Sequence, residues 1–133
     1  MNFNHFDQVA QGLYDALGDV VSKTAFDIEA LAAANAPVDT GFLKSSIYTV
    51  TDKSSDYGQA GQPSHKDSYL LPEIAQPEDQ FTAYVGVGAN YGIYLEMGTV
   101  HQSAQPYRAP ATQACEGSFE TAVSAIESKL RSI

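Results

Sequence analysis

The chain has 133 residues, of which 44% are hydrophobic and 17% charged, and its formal net charge is −9. That length suits one domain, 1–133. The acidic surplus excludes a protein that mainly grips nucleic-acid phosphates and disfavours binding to anionic membranes, but DNA could still pass without being held. One cysteine, Cys115, excludes an internal disulfide, and no apolar run approaches the about 18 residues of a membrane span. We expect a soluble protein made in a reducing cytosol.

The first predicted element is a long amphipathic helix over 6–33, which Ala36 and Pro37 end because the residue before proline avoids the helical region. At 1.5 Å per residue it would be about 42 Å long, more than a small domain is wide. We therefore expect a neighbouring subunit to cover part of its apolar stripe, although a bent or broken helix is the alternative. The stripe repeats in steps of three and four, at Phe6, Val9, Leu13, Ala16, Val20, Thr24, Ile28 and Leu31.

The middle of the chain predicts two strands, 47–51 and 80–88, joined by a long loop over 52–79 that projects as a hairpin. Before the first strand, the Asp39-Thr40-Gly41 triplet predicts a capped helical turn. The loop is rich in Gly, Ser, Pro and Gln. Its aromatic and apolar residues, the best candidates for contacts, are Tyr57, Tyr69, Leu70 and Leu71.

The last third of the chain predicts a short helix or turn over 91–98, ended by Gly98, and a second long helix over 110–131. Glu96 lies among apolar residues and needs hydrogen-bond donors or a cation, for which backbone N–H groups, Thr99 and Arg108 are candidates. Alternatively, Glu96 points into solvent. The elements together predict an α+β fold, in which a small antiparallel sheet packs against an N-terminal and a C-terminal helix.

Few residues suggest chemistry. Asp39-Thr40-Gly41 matches the catalytic triplet of aspartic proteases, and a dimeric protease using Asp39 is a distant alternative. However, the triplet follows the tail of a helix here, whereas those nearly all-β enzymes place it after an apolar strand. The three histidines are scattered and form no metal motif. We therefore predict no catalytic, cofactor or metal site.

Three motifs occur in a familiar order: APVDTGFLKSSI at 36–47, YGIYLEMGT at 91–99 and QPYRAPA at 105–111. They resemble the motifs aPvdTGrLrxSi, YAxyvExGT and aqPflrpA of the tailed-bacteriophage head–tail connector and neck (tail-completion) family, typified by gene product ten of phage HK-ninety-seven. The resemblance spans about residues 6–131. Gly92 replaces the usual Ala, and Phe42 the usual basic residue. Residues matching the motifs as structural positions are Asp39, Thr40, Gly41, Gly98, Thr99 and Pro106.

The resemblance implies a structural virion protein, made in the bacterial cytoplasm, that forms a ring in the neck between the head-closure side and the tail. A hexamer is favoured over a dodecamer, and double-stranded DNA passes without specific binding. A tail-terminator or tail-tube-like ring is the alternative. Expected partners are further copies and the adjacent head-closure and tail-terminator or tail-tube proteins. Expected contact residues are Val9, Leu13, Val20, Tyr57, Tyr69, Leu70, Leu71, Tyr91, Tyr94, Glu96 and Arg108.

Overall fold

The α+β class predicted from the sequence is confirmed by a computed structural model, which describes residues 3–36, 42–57, 70–100 and 103–132. Asp39, Thr40, Gly41 and Tyr69 lie outside the described residues, as does much of the predicted hairpin loop. The elements in chain order are α1 (Phe3–Asn35), α2 (Phe42–Ser45), β1 (Ile47–Val50), β2 (Tyr84–Val87), α3 (Gly92–Met97) and α4 (Arg108–Arg131).

The two long helices pack side by side and run in opposite directions, because the end of α1 lies at the start of α4. The Asn35 side-chain amide donates to the Tyr107 carbonyl at 3.4 Å. With 33 residues, α1 is about 50 Å long. Among its residues 7–24 only Gly18 is buried, and no residue of α4 after Cys115 is buried. The pair therefore continues beyond the sheet as a two-helix arm, defined as residues 7–24 of α1 and 116–131 of α4.

The sheet has two antiparallel strands, with Ile47 opposite Val87 and Val50 opposite Tyr84. Every residue of β1 is buried, since α1 packs against it on one side and segment 70–77 lies over Tyr48 on the other. Strand β2 is shorter than the predicted 80–88. Its approach bends through a turn at 79–81, where Phe81 leaves the sheet and packs edge-on against Tyr14 of α1, with ring centroids 6.1 Å apart.

The core lies where α1, α2, the sheet and the start of α4 meet. Phe42 is buried there and its ring lies 6.2 Å from that of Tyr91. An apolar side chain at position 42 fits this burial, since an unpaired cation would be costly in that site.

Close approach of Tyr107 explains the glycine at position 92. The Tyr107 hydroxyl donates to the Gly92 carbonyl at 3.0 Å. A Cβ at Gly92 would lie 2.7 Å from both that hydroxyl and the Val87 Cγ1 atom. The buried tyrosine therefore occupies the space that an alanine would need.

We predict that Gly92→Ala destabilises the fold by about 1–3 kcal/mol through overpacking, although alanine favours a helix by about 1 kcal/mol over glycine. Tyr107→Phe removes the clashing oxygen, so the Gly92→Ala/Tyr107→Phe double variant should lose less than the sum of the single variants. Denaturant unfolding of all four proteins measures this coupling. Additive losses would show that the hydroxyl does not restrict position 92.

Candidate functional site

The junction of α3 and α4 is organised by the Glu96 carboxylate. Its Oε2 atom accepts hydrogen bonds from the backbone amides of Tyr107 at 2.8 Å and Arg108 at 3.1 Å. Its Oε1 atom accepts from the Ala109 amide at 2.9 Å. The first amides of a helix have no partner within the helix and carry partial positive charge, so an anion there is stabilising. Glu96 therefore caps α4 from a different helix.

The environment of Glu96 has two opposing effects on its pKa. Partial burial raises the pKa, but the three backbone N–H groups favour the charged form more strongly. The net result is a pKa below the usual range for a glutamate. The capping carboxylate is thus ionised at neutral pH, which keeps all three hydrogen bonds charge-assisted.

The sequence made the Arg108 side chain a candidate partner for Glu96. The two residues are close, but Glu96 accepts its hydrogen bond from the Arg108 backbone amide. The ion pairs among the described residues are Lys23–Asp27 and Glu127–Arg131, so the Arg108 guanidinium is not paired in that part of the chain. Arg108 is exposed and lines a cavity of about 220 Å³ together with Glu96, Val87, Ile93 and other residues.

Next to this cap, α3 and the turn after it expose an apolar surface, which we call the α3 patch. It consists of Ile93, Tyr94, Met97 and Val100, which are 60%, 59%, 74% and 95% exposed. Side chains three and four apart share one face of a helix, which places Met97 beside both Ile93 and Tyr94. Together they expose on the order of 500 Å² of side chain, the size of the largest and often functional patch on a soluble monomer.

The predicted contact residues fall into two groups. Tyr94 and Leu71 are exposed, and Val9, Leu13 and Val20 are half-buried on the two-helix arm. Tyr69 lies outside the described residues and Arg108 is exposed, whereas Glu96, Leu70, Tyr91 and Tyr57 make contacts within the subunit. Leu70 packs against the core, Tyr91 packs on Phe42, and the ring of Tyr57 packs edge-on against Tyr48 with centroids 4.9 Å apart.

Sequence reasoning missed Ile93, Met97 and Val100 as surface residues. Their spacing carried a signal, because Leu95 packs against the core and a short helix that buries Leu95 must turn Ile93 and Met97 outward. Gly98 ends α3 with φ 81°, a conformation that glycine adopts without strain, and its amide donates to the Tyr94 carbonyl.

A second polar cluster joins α1 to β1 and was also missed. The Thr49 hydroxyl donates to Glu29 Oε2 at 2.9 Å, and the Thr49 amide donates to Asp56 Oδ1 at 2.7 Å. The pKa of Glu29 is raised to about 7. Partial burial is the larger cause, and a hydrogen bond with Asp56 adds to it. Lys44 is the cation that lines the same cavity of about 350 Å³.

In the described parts of the chain, no group of three or more His, Cys, Asp or Glu side chains could hold a metal ion. None of the helices in those ranges is long and apolar enough to cross a membrane.

Comparison with known families matches residues 4–98 to the family described as "Bacteriophage HK97-gp10, putative tail-component". The match covers most of the chain, and α4 lies beyond it. The chain therefore belongs to this family of phage tail components, which confirms the resemblance seen in the motifs. Searches of curated proteins and of solved structures found no match.

We predict that Glu96→Gln destabilises the fold by about 2 kcal/mol at pH 7, since it removes the charge and one acceptor atom from three amides. In the wild type, ionised Glu96 stabilises the fold fully above the pKa that this carboxyl has in the unfolded chain. That stability is lost as the pH falls through its lower pKa in the folded chain. Denaturant unfolding at pH 7 and pH 3 should therefore show the gap between the two proteins closing in acid. An equal gap at both pH values would contradict the capping role of the charge.

We predict the opposite pH trend for Glu29. A carboxyl with a raised folded pKa stabilises the fold when protonated, and this stability is lost as pH rises from about 4.5 to 7. Glu29→Gln mimics the protonated form and should raise stability at pH 8 by about 1 kcal/mol after allowing for solvent screening, with little effect at pH 5. Asp19→Asn, an exposed change on the same helix, is the control. No gain at pH 8 would refute the raised pKa of Glu29.

Proposed function

We propose that this chain is a structural protein of the phage neck, where copies form a ring that joins the head-closure side to the tail and lets DNA pass. The ring is a hexamer, with a dodecamer as the next choice. Membership of a family of tail components supports a place in the virion. The α3 patch supports assembly, since a patch of this size is often functional.

Two different surfaces on one chain are what a closed ring requires. In a heterologous contact, one patch of each copy meets a different patch of the next, and the ring closes when the rotation allows it. The α3 patch is one such surface. The two-helix arm is the other, because an arm that buries only Gly18 leaves the stripe of Val9, Leu13 and Val20 partly covered.

The charge of the chain suits a channel for DNA. The net charge is −9, and the two ion pairs within the described ranges occupy both Lys23 and Arg131. A surface of like sign repels phosphates, so DNA can slide through the ring without being held.

Contacts with the adjacent head-closure and tail-terminator or tail-tube proteins are assigned to the loop over 52–79. Tyr57 and Leu70 pack within their own subunit, so Leu71 and Ile74 are the exposed apolar residues of its described part. These two side chains offer anchors to a neighbouring ring.

The second candidate is a tail-terminator ring, which the family's description as a tail component favours. The two functions differ in the layer of the virion that the ring occupies. Labelled chain found on isolated tails that have never met a head would favour the terminator, whereas chain found on isolated filled heads would favour the neck.

We predict that a Tyr94→Glu/Met97→Glu double variant abolishes assembly, since it places charges in a contact that is apolar. In cells infected by the parent phage lacking its own copy of the gene, this variant should leave separate heads and tails, as counted by electron microscopy. Phe26→Glu, a change at an exposed apolar site of α1 outside both the α3 patch and the two-helix arm, should restore whole virions.

Circular dichroism and thermal unfolding of the purified variants ensure that both chains fold. Whole virions from the folded double variant would contradict the role of the α3 patch. Failure of Phe26→Glu as well would show that assembly does not depend specifically on the α3 patch.

A further inference from the structure

The outer edge of β2 is an open strand edge. Antiparallel pairs alternate between those that exchange hydrogen bonds and those that do not. The Thr49 amide and carbonyl both bond to Asp56, away from β2, so the Thr49–Val85 pair is of the second kind. The amides and carbonyls of Val85 and, two residues on, Val87 therefore point away from β1. Among the described residues, no hydrogen bond to these four groups is found.

A groove runs along this edge, with α4 as its other wall. A cavity of about 420 Å³ separates Val85 and the residues before it from a face of α4 that includes Thr112, Cys115 and Phe119. The floor of the cavity is α1. A strand paired with the outer edge of β2 would lie over this face of α4, where its inward side chains would fill the cavity.

Neither a charged residue nor a proline protects this edge, although β2 is short, with four residues. Soluble proteins blunt open edges with charged residues, proline or a covering segment. Residues 80–95 contain no charged residue and no proline, although the chain as a whole carries a net charge of −9. A two-stranded sheet is also marginal by itself and gains stability from a third strand.

The two ends of the groove carry opposite charges. Glu116 lines the cavity beside Phe81 and Val85, at the beginning of β2. Arg108 lines a second cavity, which contains Val87 at the end of β2. Glu96 lines that cavity too, but its carboxylate is bonded to three backbone amides of α4. A strand that fits the groove therefore carries a cation near Glu116, an anion near Arg108 and apolar side chains at alternate positions between them.

The described part of this chain has no such strand to donate. Both edges of β1 are occupied, by β2 and by residues 54–56. In an antiparallel pairing of two β2 edges, each copy would bring its own α4, which is the other wall of the groove, to the same place. A strand from a different polypeptide avoids this crowding, and the exchange experiment separates it from a strand supplied by this chain or by a second copy.

We propose that the outer edge of β2 binds one extended strand from another polypeptide, which becomes the third strand of the sheet and packs on α4. Only the assignment of that polypeptide to the virion rests on the proposed function. The pairing itself is independent of ring formation, so a failed ring and a failed strand site are separate results.

Hydrogen exchange of individual amides, followed by NMR on the purified chain, tests the proposal. The Tyr84 and Gly86 amides bond to β1 and serve as internal controls. Without peptide, Val85 and Val87 should exchange at least about tenfold faster than these controls. The probes are two synthetic nine-residue peptides of alternating Val and Thr, one with an N-terminal Lys and C-terminal Glu and the other reversed.

The expected result is that one of the two peptides slows exchange at Val85 and Val87 by at least about tenfold, with Tyr84 and Gly86 unchanged. A control peptide of the same composition with its valines grouped should have no effect. Glu116→Lys, an exposed change, should weaken the protection, and unfolding measurements show that it folds.

Three results would overturn the proposal. Protection of Val85 and Val87 without peptide, independent of protein concentration, would mean that the chain covers its own edge. Protection that rises with protein concentration would make a second copy the occupant. Fast exchange with every peptide would show that the edge does not accept a strand of this pattern.

Discussion

The capping of α4 by Glu96 is the interaction on which the arrangement of the surfaces depends. Three backbone amides at the start of α4 bond to one carboxylate on α3. Because the donors are backbone groups, the position of the helix, and not of a single side chain, is fixed relative to α3. The cap sets the α3 patch at one end of α4, and the two-helix arm extends from the other. A change at Glu96 is therefore expected to disturb assembly as well as stability.

The two helices and the sheet leave different surfaces incomplete. The arm has apolar side chains that are only partly covered, the α3 patch is more than half exposed, and the outer edge of β2 has unpaired backbone groups. Each of these would be a liability in a free monomer, because exposed apolar area and open strand edges promote association. In the proposed assembly, these are the surfaces that neighbouring proteins would cover.

Much of the architecture followed from local sequence signals. The helical repeat of apolar residues indicated α1 and α4, and Gly98 marked the end of α3, where the positive φ is observed. The features that the sequence did not predict depend on contacts between residues far apart in the chain. The start of α4 depends on a carboxylate that lies eleven residues upstream of Tyr107, and the shorter β2 depends on Phe81 packing against Tyr14. The Glu29–Asp56 cluster joins residues far apart in the chain, and no sequence motif predicts it.

The number of copies of this chain per virion distinguishes a closed ring from a tail tube. Purified virions of the parent phage would be digested with a protease and analysed by mass spectrometry. Isotope-labelled peptides of this chain and of the major capsid protein would serve as standards. A closed ring predicts a copy number equal to one hexamer or one dodecamer. Absence from the virion, or a copy number far above a dodecamer as in a tail tube, would contradict it.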